Sequence, residues 1–302
     1  MKIIFMGTPD YAQKILEALI LNDKMEIVAV YTQPDKPVGR KKIITPPKVK
    51  LLAQNYKIKV FQPEKLREAK SVNNLLNIVC DYIVVAAYGQ ILPKAILDHA
   101  PCINLHASIL PFYRGASPIQ QVLLNNENKT GVTAMLMEEG LDTGDIIKIE
   151  TIDVTETEML EELFYKLTDL ASKLTIDVLN NFRKYKQVKQ DNTKATNCKK
   201  ITKIDGLVLL DDAQITYNKY RAFTPWPGIY LENGLKLKRI EIVENNSKNN
   251  EGEILKINDN NIIIGCKKGS IKLFNVQPSS KKEMNVVSYI NGKRLVVADR
   301  IS

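Results

Sequence analysis

Short apolar runs alternate with stretches whose apolar residues recur every three or four positions through the first half of the chain. This is the pattern of strands and helices in turn. Lys2 to Met6 (K-I-I-F-M) reads as a strand ending at Gly7, residues 11–21 as a helix with one apolar face, and Met25 to Thr32 as a second strand. A strand–helix–strand unit of this kind makes a right-handed crossover in a parallel sheet. Val60 to Pro63 reads as a further short strand, and Asp81 to Ala87 (D-Y-I-V-V-A-A) as a strand buried on both faces. Cys102 to His106 makes the next strand, after a helix over Lys94 to Ala100 that leaves His99 on the surface. Leu160 to Leu179 carries a long helical pattern that closes the first domain. The fold class is α/β, Rossmann-like. Gly7-Thr8-Pro9 is not a G-x-G-x-x-G fingerprint, so dinucleotide binding is not supported.

From Gly206 the period changes. A helix over Thr216 to Phe223 ends at Pro225-Trp226-Pro227-Gly228, with Trp226 expected as a packing anchor. Short alternating strands follow, separated by turn formers at Glu232 to Gly234, Asn245 to Gly252, Asn258 to Asn261 and Lys267 to Gly269. That spacing predicts a small OB-like β-barrel. The expected division is a catalytic domain over 1–183, a basic linker over 184–205 and a C-terminal barrel domain over 206–302.

Composition narrows the class. The chain has 302 residues, 44% hydrophobic and 25% charged, which suits a globular protein with two cores. No apolar run approaches the ~20 residues that span a bilayer, and the start lacks a signal-peptide layout. Cys80, Cys102, Cys198 and Cys266 are scattered, so neither a disulfide framework nor a zinc site is suggested and a reducing cytoplasm is expected. Charge is unevenly spread. Residues 182–206 carry eight Lys and Arg against two Asp and Glu, and residues 207–302 fifteen against ten. A polyanionic partner fits that asymmetry, as does a solubilising surface. Gln33 to Lys50 holds Pro34, Pro37, Pro46, Pro47 and Gly39, which forbid regular structure. Arg40, Lys41 and Lys42 lie at its middle, followed by Ile43 and Ile44. Such a loop can wedge into a nucleic-acid end with its cations on phosphates, and the same composition fits an unliganded surface loop.

Candidate chemistry gathers between Ile103 and Ile146. Asn104 and His106 are two apart on a strand, so their side chains share a face. Asn supplies an amide N–H for a developing oxyanion, and His an imidazole able to move a proton near neutral pH. Asp142, between Gly140 and Gly144, supplies a carboxylate that can approach both, whereas Glu138, Glu139 and Asp145 read as solvated loop acids. No G-x-S-x-G or Cys-His pattern indicates a covalent nucleophile. The trio suits direct attack of an amine on a carbonyl.

These residues fall within Asn104-Leu-His106, Ser108-Ile-Leu-Pro111, Tyr113-Arg-Gly-Ala-Ser-Pro-Ile-Gln120 and Gly140-Leu-Asp142-Thr-Gly. Beside them stand M-G-T-P-D-Y-A, T-P-P-K-V-K, Y-G-Q-I-L-P, R-A-F-T-P-W-P-G and Q-P-S-S-K-K-E-M. Together they resemble the 10-formyltetrahydrofolate-dependent formyltransferases over nearly the whole chain, and most closely the branch that formylates methionyl initiator tRNA. The resemblance implies catalysis by Asn104, His106 and Asp142. It implies a folate site lined by Ser108, Ile109, Leu110 and Pro111, with the Tyr88, Gly89, Gln90 and Ile91 backbone meeting the pterin. Arg40, Lys41 and Lys42 would enter the tRNA acceptor end. The C-terminal domain would bind tRNA, 10-formyltetrahydrofolate would be the formyl-donor co-substrate, and a monomer with no resident metal and no membrane association is expected. Two departures from the family pattern stand out: Arg40 meets Lys41 with no intervening glycine, and Ala107 stands where glycine is common. A formyltransferase for a small amine, or a nucleic-acid-binding module on the same scaffold, accounts for part of the pattern.

Overall fold

A computed structural model of the chain describes residues 1–39 and 41–301. They fall into two compact units. Unit 1 comprises Met1–Pro118, Lys129–Asp153 and Phe164–Cys198, and unit 2 comprises Ile119–Asn128, Val154–Leu163 and the chain from Lys199.

The strands of unit 1 are β1 (Lys2–Gly7), β2 (Glu26–Tyr31), β3 (Lys36–Val38), β4 (Ile43–Thr45), β5 (Val60–Phe61), β6 (Tyr82–Ala86), β7 (Cys102–His106), β8 (Arg114–Gly115), β9 (Lys129–Leu136), β10 (Ile146–Asp153) and β11 (Asn197–Cys198). Seven of them form one sheet in the order β10-β9-β7-β6-β1-β2-β5. From β5 to β7 all neighbours are parallel, and β9 and β10 add an antiparallel edge. The chain steps outward from β1 to β2 and β5, then returns to lay β6 and β7 on the other side. The order therefore switches between β1 and β6, and open α/β sheets hold their ligands at the carboxyl edge over such a switch. Thr8, just after β1, donates its hydroxyl to the Tyr88 carbonyl just after β6, at 3.2 Å, and ties the two edges together.

The apolar runs form strands because both faces are covered. Ile4, Met6, Ile83 and Val85 pack on one face with Leu66, Leu75, Leu92 and Ile96. Helix α1 (Asp10–Ile20) contacts β1, β2 and β6, burying Tyr11, Ile15, Leu16 and Leu19. Helices α2 (Lys48–Asn55), α3 (Ala69–Leu76) and α4 (Lys94–Leu97) complete the first half of the chain. The last of these stops short of the expected Ala100. Pro101 disfavours helical backbone at the residue before it. His99 is half-buried rather than on the surface, with Nε2 3.0 Å from the Ile78 carbonyl.

The 33–50 segment corrects the expectation of irregular backbone. β3 and β4 pair as an antiparallel hairpin, Pro37 opposite Ile44. An isolated two-stranded ribbon tolerates a proline, whose missing N–H interrupts no sheet interior. Pro46 and Pro47 fall between β4 and α2, where no ladder is needed. The hairpin base is anchored: Lys50 and the Gln62 amide both reach the Asp35 carboxylate, at 2.8 and 2.7 Å. These contacts, Gln62 first, hold Asp35 below the usual carboxylate range.

α5 (Pro118–Leu124) follows β8, and α6 (Leu160–Asn181) is the long helix expected from the sequence, its residues from Phe164 onward in unit 1. In unit 2, helix α7 (Ala213–Phe223) starts at Asp212, whose carboxylate caps the Gln214 and Ile215 N–H groups. Arg221 on this helix is 1% exposed. Its guanidinium donates to the Thr155 carbonyl and to the side-chain oxygens of Asn126 and Asn218. β12 (Ile229–Tyr230), β13 (Lys236–Glu244), β14 (Ile254–Ile257), β15 (Ile262–Gly265), β16 (Ser270–Gln277) and β17 (Met284–Asn285) form an antiparallel sheet ordered β12-β13-β16-β15-β14, with β17 also on β16. Helix α8 (Val286–Lys293) follows and contacts β16. Trp226 is 59% exposed and is not the buried anchor expected; Phe223, three residues earlier, takes the interior position.

Candidate active site

β7 is buried along its whole length, so its polar residues are held against the sheet rather than solvated. Asn104 and His106 project from one face, and Leu105 between them turns the other way, its carbonyl accepting the Tyr11 hydroxyl. His106 is fixed from two sides. Its Nε2 lies 2.9 Å from the Tyr113 carbonyl, and Nδ1 lies 3.7 Å from Asp142 Oδ2. A carbonyl only accepts, so Nε2 carries the hydrogen. The second distance is too long for a hydrogen bond. Tyr113, not Asp142, therefore orients the ring, and Nδ1 is the nitrogen that faces the Asp142 carboxylate. Asn104 Nδ2 lies 3.4 Å from Asp142 Oδ1, so the three side chains named from the sequence do converge.

Asp142 sits in left-handed backbone, φ +54°, which Asp tolerates better than most residues. Its Oδ2 accepts the Gly115 N–H at 2.8 Å. Two glycines make this approach possible. A Cβ at Gly144 would lie 1.8 Å from the Leu136 carbonyl oxygen, and one at Gly115, whose φ is +115°, 2.4 Å from the Cys198 carbonyl oxygen.

The turn after β7 is built from the inside. The Thr133 hydroxyl donates to the Ser108 carbonyl and accepts from the Leu110 N–H. The Ser108 hydroxyl donates to the Phe112 carbonyl. Ser108 and Leu110 are thus buried and committed to the turn, while Ile109 and Pro111 keep accessible surface. After β6, the Tyr88 carbonyl accepts from Thr8 and Gln33, and the Gln90 amide is occupied by Leu66 and Pro63. Gly89 and Ile91 remain exposed. Burial pushes the Tyr88 phenol well above its ordinary range. Of the basic trio, Lys41 and Lys42 are exposed at the hairpin tip, and Arg40 lies outside the described residues.

The connector carries residues that the sequence did not single out. Gln190 Nε2 donates to the carbonyls of Asp142 and Gly144, at 2.9 and 2.8 Å. Its Oε1 accepts from Nε and Nη2 of Arg114, which is 7% exposed. β11 pairs with β8, and the Thr196 hydroxyl accepts the Tyr113 N–H. Cys198 lies beneath, its thiol pushed up mainly by burial and in part by the Asp142 charge. Among the described residues no cluster of three or more His, Cys, Asp or Glu forms a metal-binding group, and no helix is long and apolar enough to cross a membrane.

Two family models match the chain: "Formyl transferase" over residues 1–179 and "Formyl transferase, C-terminal domain" over residues 200–294. The methionyl-tRNA formyltransferase of Sulfurimonas denitrificans is 64% identical over 302 residues, covering 100% of both chains. That of Nitratiruptor sp. is 55% identical over 301 residues, covering 99% of both. Among solved structures, the sugar 3N-formyl transferase WlaRD, determined in the presence of dTDP and 5-N-formyl-THF, matches with TM-score 0.69 at 20% identity, covering 93% of this chain and 99% of that one. An N-formyltransferase from Helicobacter canadensis matches at TM-score 0.68 and 19% identity, covering 91% and 99%. At that identity the structures establish the fold alone. The full-length relatives go further, and the chain belongs to the formyl transferase family, in its methionyl-tRNA formyltransferase branch.

Proposed function

We propose that this chain transfers a formyl group from 10-formyltetrahydrofolate to the α-amine of methionyl initiator tRNA, in the cytoplasm, as a monomer. The observation that carries the chemistry is the convergence of Asn104, His106 and Asp142 at the carboxyl edge of the sheet. The amine lone pair adds to the formyl carbon and the C=O electrons move onto oxygen. Asn104 Nδ2–H and a proton on His106 Nδ1 receive that negative charge, the largest single contribution such a site makes. The bond from carbon to N10 then breaks, N10 gains a proton, and the attacking nitrogen loses one. Asp142 faces Nδ1 across 3.7 Å and keeps a negative charge beside the proton in transit. Attack is direct, with no acyl-enzyme.

Ile109 and Pro111 after β7, with Gly89 and Ile91 after β6, present the surface available to the folate on adjacent strand ends. Ser108, Leu110, Tyr88 and Gln90 support that surface from beneath. Lys41 and Lys42, with Arg40, would meet the acceptor-end phosphates, and the basic residues from 182 onward extend the contact. The division at 1–183, 184–205 and 206–302 remains our proposal for the separation of formyl transfer from tRNA binding.

The test is formyl transfer to methionyl initiator tRNA beside a methionyl elongator tRNA. Transfer to the initiator alone supports both reaction and partner. Transfer to neither, with the folate still bound, would point to a small amine acceptor.

A further inference from the structure

We infer that Gln190, in the connector between the two family-model matches, is a positioning residue for formyl transfer. The inference rests on the catalytic reading of His106 and Asp142. The stretch from Val188 to Cys198 is not a free tether. Val188 and Ile146 exchange both backbone hydrogen bonds, at 2.8 and 2.9 Å. Two residues later the Gln190 carboxamide uses both of its N–H groups on the Asp142 and Gly144 carbonyls and its oxygen on the buried Arg114. Those carbonyls bracket Thr143 in a loop whose Asp142 is left-handed, a conformation that persists where neighbours over-determine it. Arg114 donates a further bond, at 2.8 Å, to Asn192 Oδ1.

Farther along, Thr196 receives the Tyr113 N–H on its hydroxyl and the Arg114 N–H on its carbonyl. These amides flank the Tyr113 carbonyl that holds His106 Nε2. The Gly115 N–H that binds the Asp142 carboxylate belongs to β8, the strand paired with β11. Both groups that face His106, the Tyr113 carbonyl and the Asp142 carboxylate, are thus located by the connector. The Gln190 side chain touches both loops at once, through Arg114 on one and the Asp142 and Gly144 carbonyls on the other.

The experiment uses the full chain with three substitutions. Gln190→Glu keeps an acceptor for Arg114 and the side-chain shape, but sets oxygen against the two carbonyls. Thr196→Val removes the hydroxyl acceptor and preserves the strand pairing. His106→Ala tests the underlying reading. We expect Gln190→Glu to lower kcat by about ten- to a hundredfold, the scale of a displacement of about 1 Å at a reacting group. KM for both substrates should stay within about threefold and thermal midpoint within a few degrees. Thr196→Val should lower kcat by about threefold to tenfold with the same split. A merely structural role predicts another pattern: a lower midpoint with unchanged kcat per folded molecule, or a raised KM with kcat retained. Either result for Gln190→Glu overturns the inference, as does native kcat. If Gln190→Glu does not fold, native kcat in Thr196→Val overturns it. Full turnover in His106→Ala would instead sink the catalytic reading, whereas an inactive His106→Ala beside a fully active Gln190→Glu removes only the positioning role.

Discussion

The carboxyl end of β7 and the β3–β4 hairpin belong to the same unit and are built on opposite plans. Asn104 and His106 are 9% and 6% exposed, and Tyr113, Asp142, Gly115 and the connector fix the atoms around them. Ile43 and Ile44 are 62% and 61% exposed, on a ribbon joined by one strand pair and anchored at its base. A group that stabilises developing charge must be in place before the reaction, because reorganising it would consume the advantage. A surface that meets a large polyanion gains from accessible cations and from apolar area that association can still bury. The contrast predicts a separation of effects: changes at β7 should strike turnover, and changes at the hairpin should strike affinity.

The most severe way to break that contrast is at the oxyanion. Asn104→Ala or His106→Ala should each lower kcat by ~10²–10³ or more and leave tRNA affinity within a few-fold. Single-turnover kinetics with a filter-binding titration of methionyl initiator tRNA separates the two. Equal losses in both measurements would mean that these side chains hold the partner rather than the charge.

Next is the packing that brings Asp142 to its place. Gly144→Ala forces a Cβ to within 1.8 Å of the Leu136 oxygen, so the loop must move. We expect stability to fall by about 2–3 kcal/mol and kcat by at least tenfold. Thermal melting and turnover at a temperature where the variant is folded measure the two parts. A variant with native turnover would show that Asp142 does not need this loop geometry.

The parts of this plan that were legible in the sequence are those encoded locally. Asn104 and His106 share a face because a strand has a period of two, and Asp142 was marked by its flanking glycines. β9 and β10 were not assigned. Thr130 and Thr133 are buried in β9 and break the apolar pattern, and the Thr133 hydroxyl is satisfied by Ser108 and Leu110, 25 and 23 residues away. The hairpin was hidden by prolines that an isolated ribbon accommodates. Gln190 is one polar residue among polar neighbours, and nothing in its surroundings marks it. Its contacts are with carbonyls of one loop, 46 and 48 residues away in sequence, and with Arg114, 76 residues away. Trp226, between two prolines, reads as an anchor, but burial is decided by what lies opposite, which no local pattern reports.

A smaller effect sharpens the contrast from the other side. Lys41→Ala with Lys42→Ala should weaken tRNA binding by about tenfold near physiological salt, through lost phosphate contacts. The salt dependence should flatten by roughly one to two units of log–log slope. The kcat at saturating tRNA should stay within about twofold. An unaltered slope would show that the hairpin tip does not meet phosphate.

The mildest perturbation separates the two plans most directly. Ile43→Ser with Ile44→Ser removes two apolar side chains that stand in solvent. If they pack against nothing within the chain, stability should change by no more than about 0.5 kcal/mol, the ordinary range for surface substitutions. If the hairpin enters the tRNA end as proposed, the same side chains would become the apolar area of a wedge. Their loss should then weaken tRNA binding by about threefold to tenfold, well below the full burial value of ~1.5–3 kcal/mol per side chain because ordering the tip offsets part of it. Salt slope should not change, since no cation is removed. Melting and binding measured on the same sample decide the matter. A lowered melting temperature with native affinity would mean that the isoleucines serve the fold, and the hairpin would then follow the same buried plan as β7.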